Sequence, residues 1–139
     1  MDEERPYMAN YGTGLIVVMG FHMLFYGSAA LAYPDLFGNE YADSQGFQMF
    51  FIGTGCWELF IAVTLFLKSG ISYKFAILSL VLIVTLTLGN MLLNGHLGFT
   101  IWVQTILGGA SLALLLTRDV RRFYNNWSFG DLPQMDLDT

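Results

Sequence analysis

Four predominantly apolar stretches, Leu15 to Tyr33, Phe47 to Leu67, Phe75 to Leu93 and Phe99 to Leu116, occupy most of this 139-residue chain. Each approaches the ~20 residues that an α-helix needs to cross ~30 Å of hydrocarbon. With 55% hydrophobic residues, 12% charged residues and a mean hydropathy of +0.54, the chain has too little polar side-chain surface to stay wet in water. The runs also lack the in-and-out alternation of a barrel strand. The sequence therefore predicts an all-α polytopic membrane protein, an antiparallel four-transmembrane-helix bundle forming one domain over residues 1–139. Short tails flank it, acidic at the N-terminus and aromatic then acidic at the C-terminus.

Acidic Met1-Asp-Glu-Glu-Arg5 precedes the first run where a signal or transit peptide would carry basic residues, so the first helix is expected to be retained. The basic residues set the orientation. Arg5 precedes the first helix, Lys68 and Lys74 bracket the turn between the second and third, and Arg118, Arg121 and Arg122 follow the fourth. In a four-helix topology these share one side, while the opposite loops, Pro34 to Gly46 and Asn94 to Gly98, hold no Lys or Arg. Both termini are thus expected in the cytoplasm or its organellar equivalent, in a membrane whose identity the sequence leaves open.

Connections are short. Lys68 to Lys74 and Asn94 to Gly98 read as tight glycine turns, with Ser44 as the N-cap that opens the second helix. The aromatic residues of the tail, Phe123, Tyr124, Trp127 and Phe129, suit a segment at headgroup level. Small residues permit close helix approach: Gly14, Gly20 and Gly27 in the first helix, Gly53, Gly55 and Ala62 in the second, Gly108, Gly109 and Ser111 in the fourth. A single cysteine, Cys56, excludes an intramolecular disulfide and reads as a small buried side chain.

Glu58 is the residue on which any specific function turns. A carboxylate at the bilayer centre is penalised by roughly 2.5 to 3.5 kcal/mol, so it must be neutral, paired or facing a wet cavity. Counted from their own membrane entries, His22 and Glu58 each lie roughly 17 Å along, close to the midplane, where they can pair. Tyr26 lies one turn beyond His22, Thr54 one turn outward of Glu58, Asn90 with Asn94 on one face of the third helix, and Gln104 just inside the fourth. If these faces turn inward, His22, Tyr26, Thr54, Glu58, Asn90 and Gln104 line an outward pocket able to take a lipid headgroup, a quinone or a small polar ligand. Otherwise they are interhelical hydrogen-bond glue in a packed core.

Other chemistries lack their residues. His22 and His96 stand at different depths, which disfavours bis-His haem, and a single carboxylate without a Glu-x-x-His pair gives no metal site. There is no nucleophile elbow, no phosphate-binding glycine loop and no basic surface for nucleic acid.

The second helix, Gly53-Thr-Gly-Cys-Trp-Glu-Leu-Phe-Ile-Ala-Val-Thr-Leu-Phe-Leu67, resembles that of the DoxX-like four-helix membrane proteins. Their Gly-x-x-Glu pattern, followed by small residues and leucine, falls here on Gly55, Glu58, Ala62 and Leu65. Where that family usually has a lysine after the glycine ending its first helix, this chain has Ser28, Ala29 and Ala30, leaving His22 as the substitute partner for Glu58. The resemblance implies a membrane subunit or assembly factor around quinone-linked oxidation or redox-defence systems. Without redox residues of its own, the chain is expected to be non-catalytic, to bind no cofactor beyond a lipid or quinone, and to work with the lipid bilayer and other membrane subunits. Two alternatives stay open: an accessory subunit of a large respiratory or photosynthetic complex, and a proton-coupled small-molecule transporter built around Glu58.

Overall fold

A computed structural model describes residues 4–33, 35, 45–67, 69–94 and 98–125, the side chains of residues 45–47, 90, 91 and 94 falling outside the described set. Among the described residues the fold is all-helical: α1 (Tyr7–Ala32), α2 (Gln45–Phe66), α3 (Gly70–Asn94), α4 (Phe99–Leu115) and α5 (Arg118–Asn125). Three segments, Tyr7–Ala32, Gln48–Phe66 and Gly70–Gly89, are long and apolar enough to cross a membrane. A fourth follows if α4 and α5, bent by 65° across a short break, count as one span. Large apolar side chains face outward at mid-helix, among them Phe25 at 74%, Val63 at 61% and Leu78 at 68% exposure. Such a surface belongs in lipid, where these side chains meet hydrocarbon instead of water.

Helix boundaries differ from the apolar runs where polar residues join the packing. Pro6, with φ −55°, precedes α1, and its carbonyl accepts from the N–H groups of Ala9 and Asn10. The helix thus begins at Tyr7, and its added turns bury Ala9, Gly12 and Thr13. The expected Lys68 to Lys74 turn is shorter, because helix resumes at Gly70 and Tyr73 is buried within it. Ser69 opens that helix, its carbonyl accepting from Tyr73 N–H at 3.0 Å. The expected N-cap Ser44 lies outside the described residues.

At the other end of the chain, the Thr117 hydroxyl donates to the Leu114 carbonyl at 2.8 Å, and the Thr117 carbonyl accepts from Arg121 N–H to start α5. Asp119 in the first turn of α5 complements the helix dipole. The tail segment expected at headgroup level is thus helical up to Asn125, with Trp127 and Phe129 outside the described residues.

α1 packs on α2 and α4, and α3 packs on the same two helices, so the four form a ring with α2 and α4 at opposite corners. Glycine sets the closest approach. A Cβ on Gly20 would stand 2.8 Å from Leu59 Cγ, one on Gly27 3.1 Å from the Gln48 carbonyl, and one on Gly55 2.7 Å from the Gly20 carbonyl. As numbers rise along α1 they fall along its partner, so these two helices run in opposite directions. Gly108 fills the same role toward Val84 on α3. By contrast Gly14, Gly53 and Gly109, also expected at interfaces, face open space, and Cys56 is exposed instead of buried. These four point away from the ring, a direction that residue size does not encode.

Candidate functional site

The buried faces of α1, α2 and α4 bring three polar groups to the centre of the ring. Gln104 repeats with Thr100, Gly108, Ser111 and Leu115 along the buried stripe of α4, and Glu58 repeats with Ile61, Ala62 and Leu65 along that of α2. Glu58 is 0% exposed and Gln104 1%. Gln104 Nε2 donates to Glu58 Oε2 at 3.5 Å and to the Met19 carbonyl of α1 at 3.4 Å. Both bonds are long, but the first crosses the ring between opposite corners, the second reaches the neighbouring α1, and together they tie three helices at one point. Glu58 Oε1 and Gln104 Oε1 meet no hydrogen-bond donor, and neither does buried Ser111 Oγ meet a partner.

Gln104, not His22, is therefore the hydrogen-bond partner of Glu58. His22 Nε2 makes no hydrogen bond, and its ring instead stacks on Tyr26 at 6.5 Å between centroids and meets Phe99 edge-on at 6.0 Å. Azimuth separates the two residues. His22 turns toward the start of α4, while Gly20 and Gly55 make the contact with α2. Tyr26 continues this aromatic row to Phe51 of α2 at 5.4 Å. Thr54 is half-buried one turn outward of Glu58. Asn90 lies on α3, where its side chain falls outside the described residues, as does that of Asn94. Of the six proposed pocket residues, the structure joins Glu58 with Gln104 and His22 with Tyr26 as two separate pairs.

A second polar cluster, at the end of the ring where α5 sits, escaped the sequence reading. Tyr124 is 0% exposed; its hydroxyl donates to the Leu65 carbonyl at 2.7 Å and accepts from Arg5 Nη2 at 3.2 Å. Arg5 Nη2 also donates to Thr13 Oγ1 at 2.7 Å, and the guanidinium carbon lies 4.5 Å from the centroid of the Phe66 ring. Tyr73 stacks on Tyr124 at 4.9 Å and donates its hydroxyl to the Leu115 carbonyl at 2.8 Å. The last carbonyls of α2 and α4 are thus capped by phenols from α5 and α3. In the sequence Arg5 reads only as a topology marker and Tyr124 only as an interfacial aromatic. A buried carbonyl at a helix end needing a donor is the signal that links them, and it is invisible until the ends are in space.

No protein-family model, no curated protein and no solved structure matches this chain. The geometry stands alone. Among the described residues no three His, Cys, Asp or Glu side chains gather as a metal would require. What the central cluster offers is a carboxyl and an amide, each with one oxygen that has no hydrogen-bond partner, in a buried interior. A group donating hydrogen bonds, such as a hydroxyl or water, suits that pair.

Proposed function

We propose that this chain is a non-catalytic integral membrane subunit or assembly factor of the DoxX-like kind, an antiparallel four-span bundle with both termini on the cytoplasmic side or its organellar equivalent. The observation that carries the reading is the Gln104 amide shared between Glu58 of α2 and the Met19 carbonyl of α1 at the core of the ring. The costliest polar residue in the chain is used to hold helices together. The phenol caps at the α5 end and the Gln48 Nε2 bond to the Ala30 carbonyl, 3.2 Å, at the other end act the same way. Polar groups devoted to clamps leave the outer, apolar faces of the helices as the surface for other membrane subunits.

A second reading has its own support. The spare oxygens Glu58 Oε1 and Gln104 Oε1 favour a small ligand carrying hydroxyl groups, such as a quinol, held at Glu58. Purification in mild detergent followed by mass spectrometry of everything retained separates the two. A stoichiometric membrane-protein partner supports the subunit reading. A quinone retained by the isolated chain and lost in Gln104→Leu supports the ligand reading, and recovery of a bare monomer with neither partner nor ligand defeats both.

A further inference from the structure

We infer that the end of the molecule closed by α5 binds the headgroup phosphate of an anionic phospholipid, with Arg5 at the centre of the site. Arg5 is a cation fixed in place with no carboxylate partner among the described residues. Its Nη2 is held by Thr13 and Tyr124 and its plane by Phe66, all three of them neutral groups contributed by α1, α5 and α2. Its Nε is buried and has no acceptor. No carboxylate pairs with it, nor with Lys74, Arg118, Arg121 or Arg122, among the described residues. A guanidinium held by three elements, with Nη2 spent on Thr13 and Tyr124 and no carboxylate partner among the described residues, keeps Nη1 as a charge-assisted donor that suits a phosphate oxygen.

The shape of α5 supplies the second, independent observation. This helix turns 65° away from α4, burying Val120, Phe123 and Tyr124 and leaving Arg118, Arg121 and Arg122 exposed. One apolar face seated on the bundle end and one basic face outward is the arrangement of a helix lying in the headgroup layer. Basic residues placed there draw anionic lipids from the adjoining leaflet. A zwitterionic headgroup, whose phosphate carries its own ammonium, answers the charge of Arg5 and of the exposed arginines less well than an anionic one.

The inference rests on the membrane-spanning reading, which alkaline extraction of membranes tests by itself: release of the chain into the soluble fraction would sink that reading. The lipid site is tested on the purified full-length chain in micelles by native mass spectrometry, titrating phosphatidylglycerol against phosphatidylcholine. Phosphatidylglycerol should be retained preferentially, and Arg5→Gln should weaken that retention about fivefold, the effect of losing one basic contact. Arg5→Lys should recover only part, since it keeps the charge and loses the guanidinium that is held by Thr13 and Tyr124 while still offering a donor outward. Because Arg5→Gln also removes bonds to Thr13 and Tyr124, the exposed pair Arg118→Gln with Arg122→Gln serves as a second probe and should lower retention with helicity unchanged. Equal retention of the two lipids, or no response in either variant, overturns the site. Displacement of the lipid by millimolar inorganic phosphate overturns a lipid source in favour of a soluble anion.

Discussion

Replacing Gly55 with alanine places a methyl group where α1 and α2 touch backbone to backbone. The new Cβ stands 2.7 Å from the Gly20 carbonyl oxygen and 2.9 Å from Leu24 N. Ordinary carbon-to-carbonyl contacts begin near ~3.3 Å, so the methyl is roughly 0.6 Å too close. Neither obstacle is a side chain able to rotate away, and the helices must part. Overpacking of this kind costs about 1–3 kcal/mol, against which alanine's better helix propensity returns up to ~1 kcal/mol. Gly53 provides the control, since its Cβ would meet nothing within 4 Å on the same helix. Gly53→Ala therefore carries the propensity gain without the clash, and the difference between the two variants isolates packing at about 1–3 kcal/mol. Reversible unfolding in mixed micelles of mild detergent and dodecyl sulfate, followed by circular dichroism, measures it. Equal stability of Gly53→Ala and Gly55→Ala would refute the close α1–α2 contact.

The core bond predicts that Gln104→Leu, which strands the buried Glu58 carboxyl, destabilises by about 1–3 kcal/mol, whereas Gln104→Leu with Glu58→Leu loses less than the sum of the single changes. A double-mutant cycle in the same micelles reads this; strict additivity would mean the two side chains do not meet. His22→Phe combined with Glu58→Gln should be additive within about 0.5 kcal/mol, since the two residues belong to separate pairs, and a larger coupling would restore the His22–Glu58 pairing. Tyr124→Phe should lower stability by about 1 kcal/mol by uncapping the Leu65 carbonyl, and proteolysis at the α5 end should accelerate; unchanged cleavage argues against the phenol as a cap. Asn126-Trp127-Ser128 is a formal glycosylation sequon beside the basic end, and expression through a secretory pathway should leave it unmodified. A glycan at Asn126 would reverse the proposed orientation.

Long apolar runs announced the helices because composition alone determines whether about 20 residues can live in hydrocarbon. The rarity of polar side chains in these runs made Glu58 and Gln104 legible as members of one candidate site. Azimuth was not legible. Periodicity within a run that is apolar on every side does not reveal which face meets which neighbour, so His22 was assigned to Glu58 although it turns toward Phe99. The same blindness placed Gly14, Gly53 and Gly109 at interfaces and Cys56 in the core. The Arg5, Thr13, Tyr73 and Tyr124 cluster was missed for another reason. Its members come from segments far apart in the chain, and each has an ordinary explanation in its own neighbourhood.

The bond between Arg5 and Tyr124 joins residues 119 positions apart. During synthesis this contact cannot exist until almost every described residue has been made, and the Leu65 carbonyl of α2 waits for its phenol, Tyr124, from a later segment. The hairpin of α1 and α2 can form early on its glycine contacts, since Gly20 and Gly55 emerge close together. Of these contacts the α1–α2 pair is thus the first that synthesis permits and the bolt supplied by α5 the last. A chain interrupted before Arg118 would hold its early helices and lack the fastening that links its beginning to its final helix.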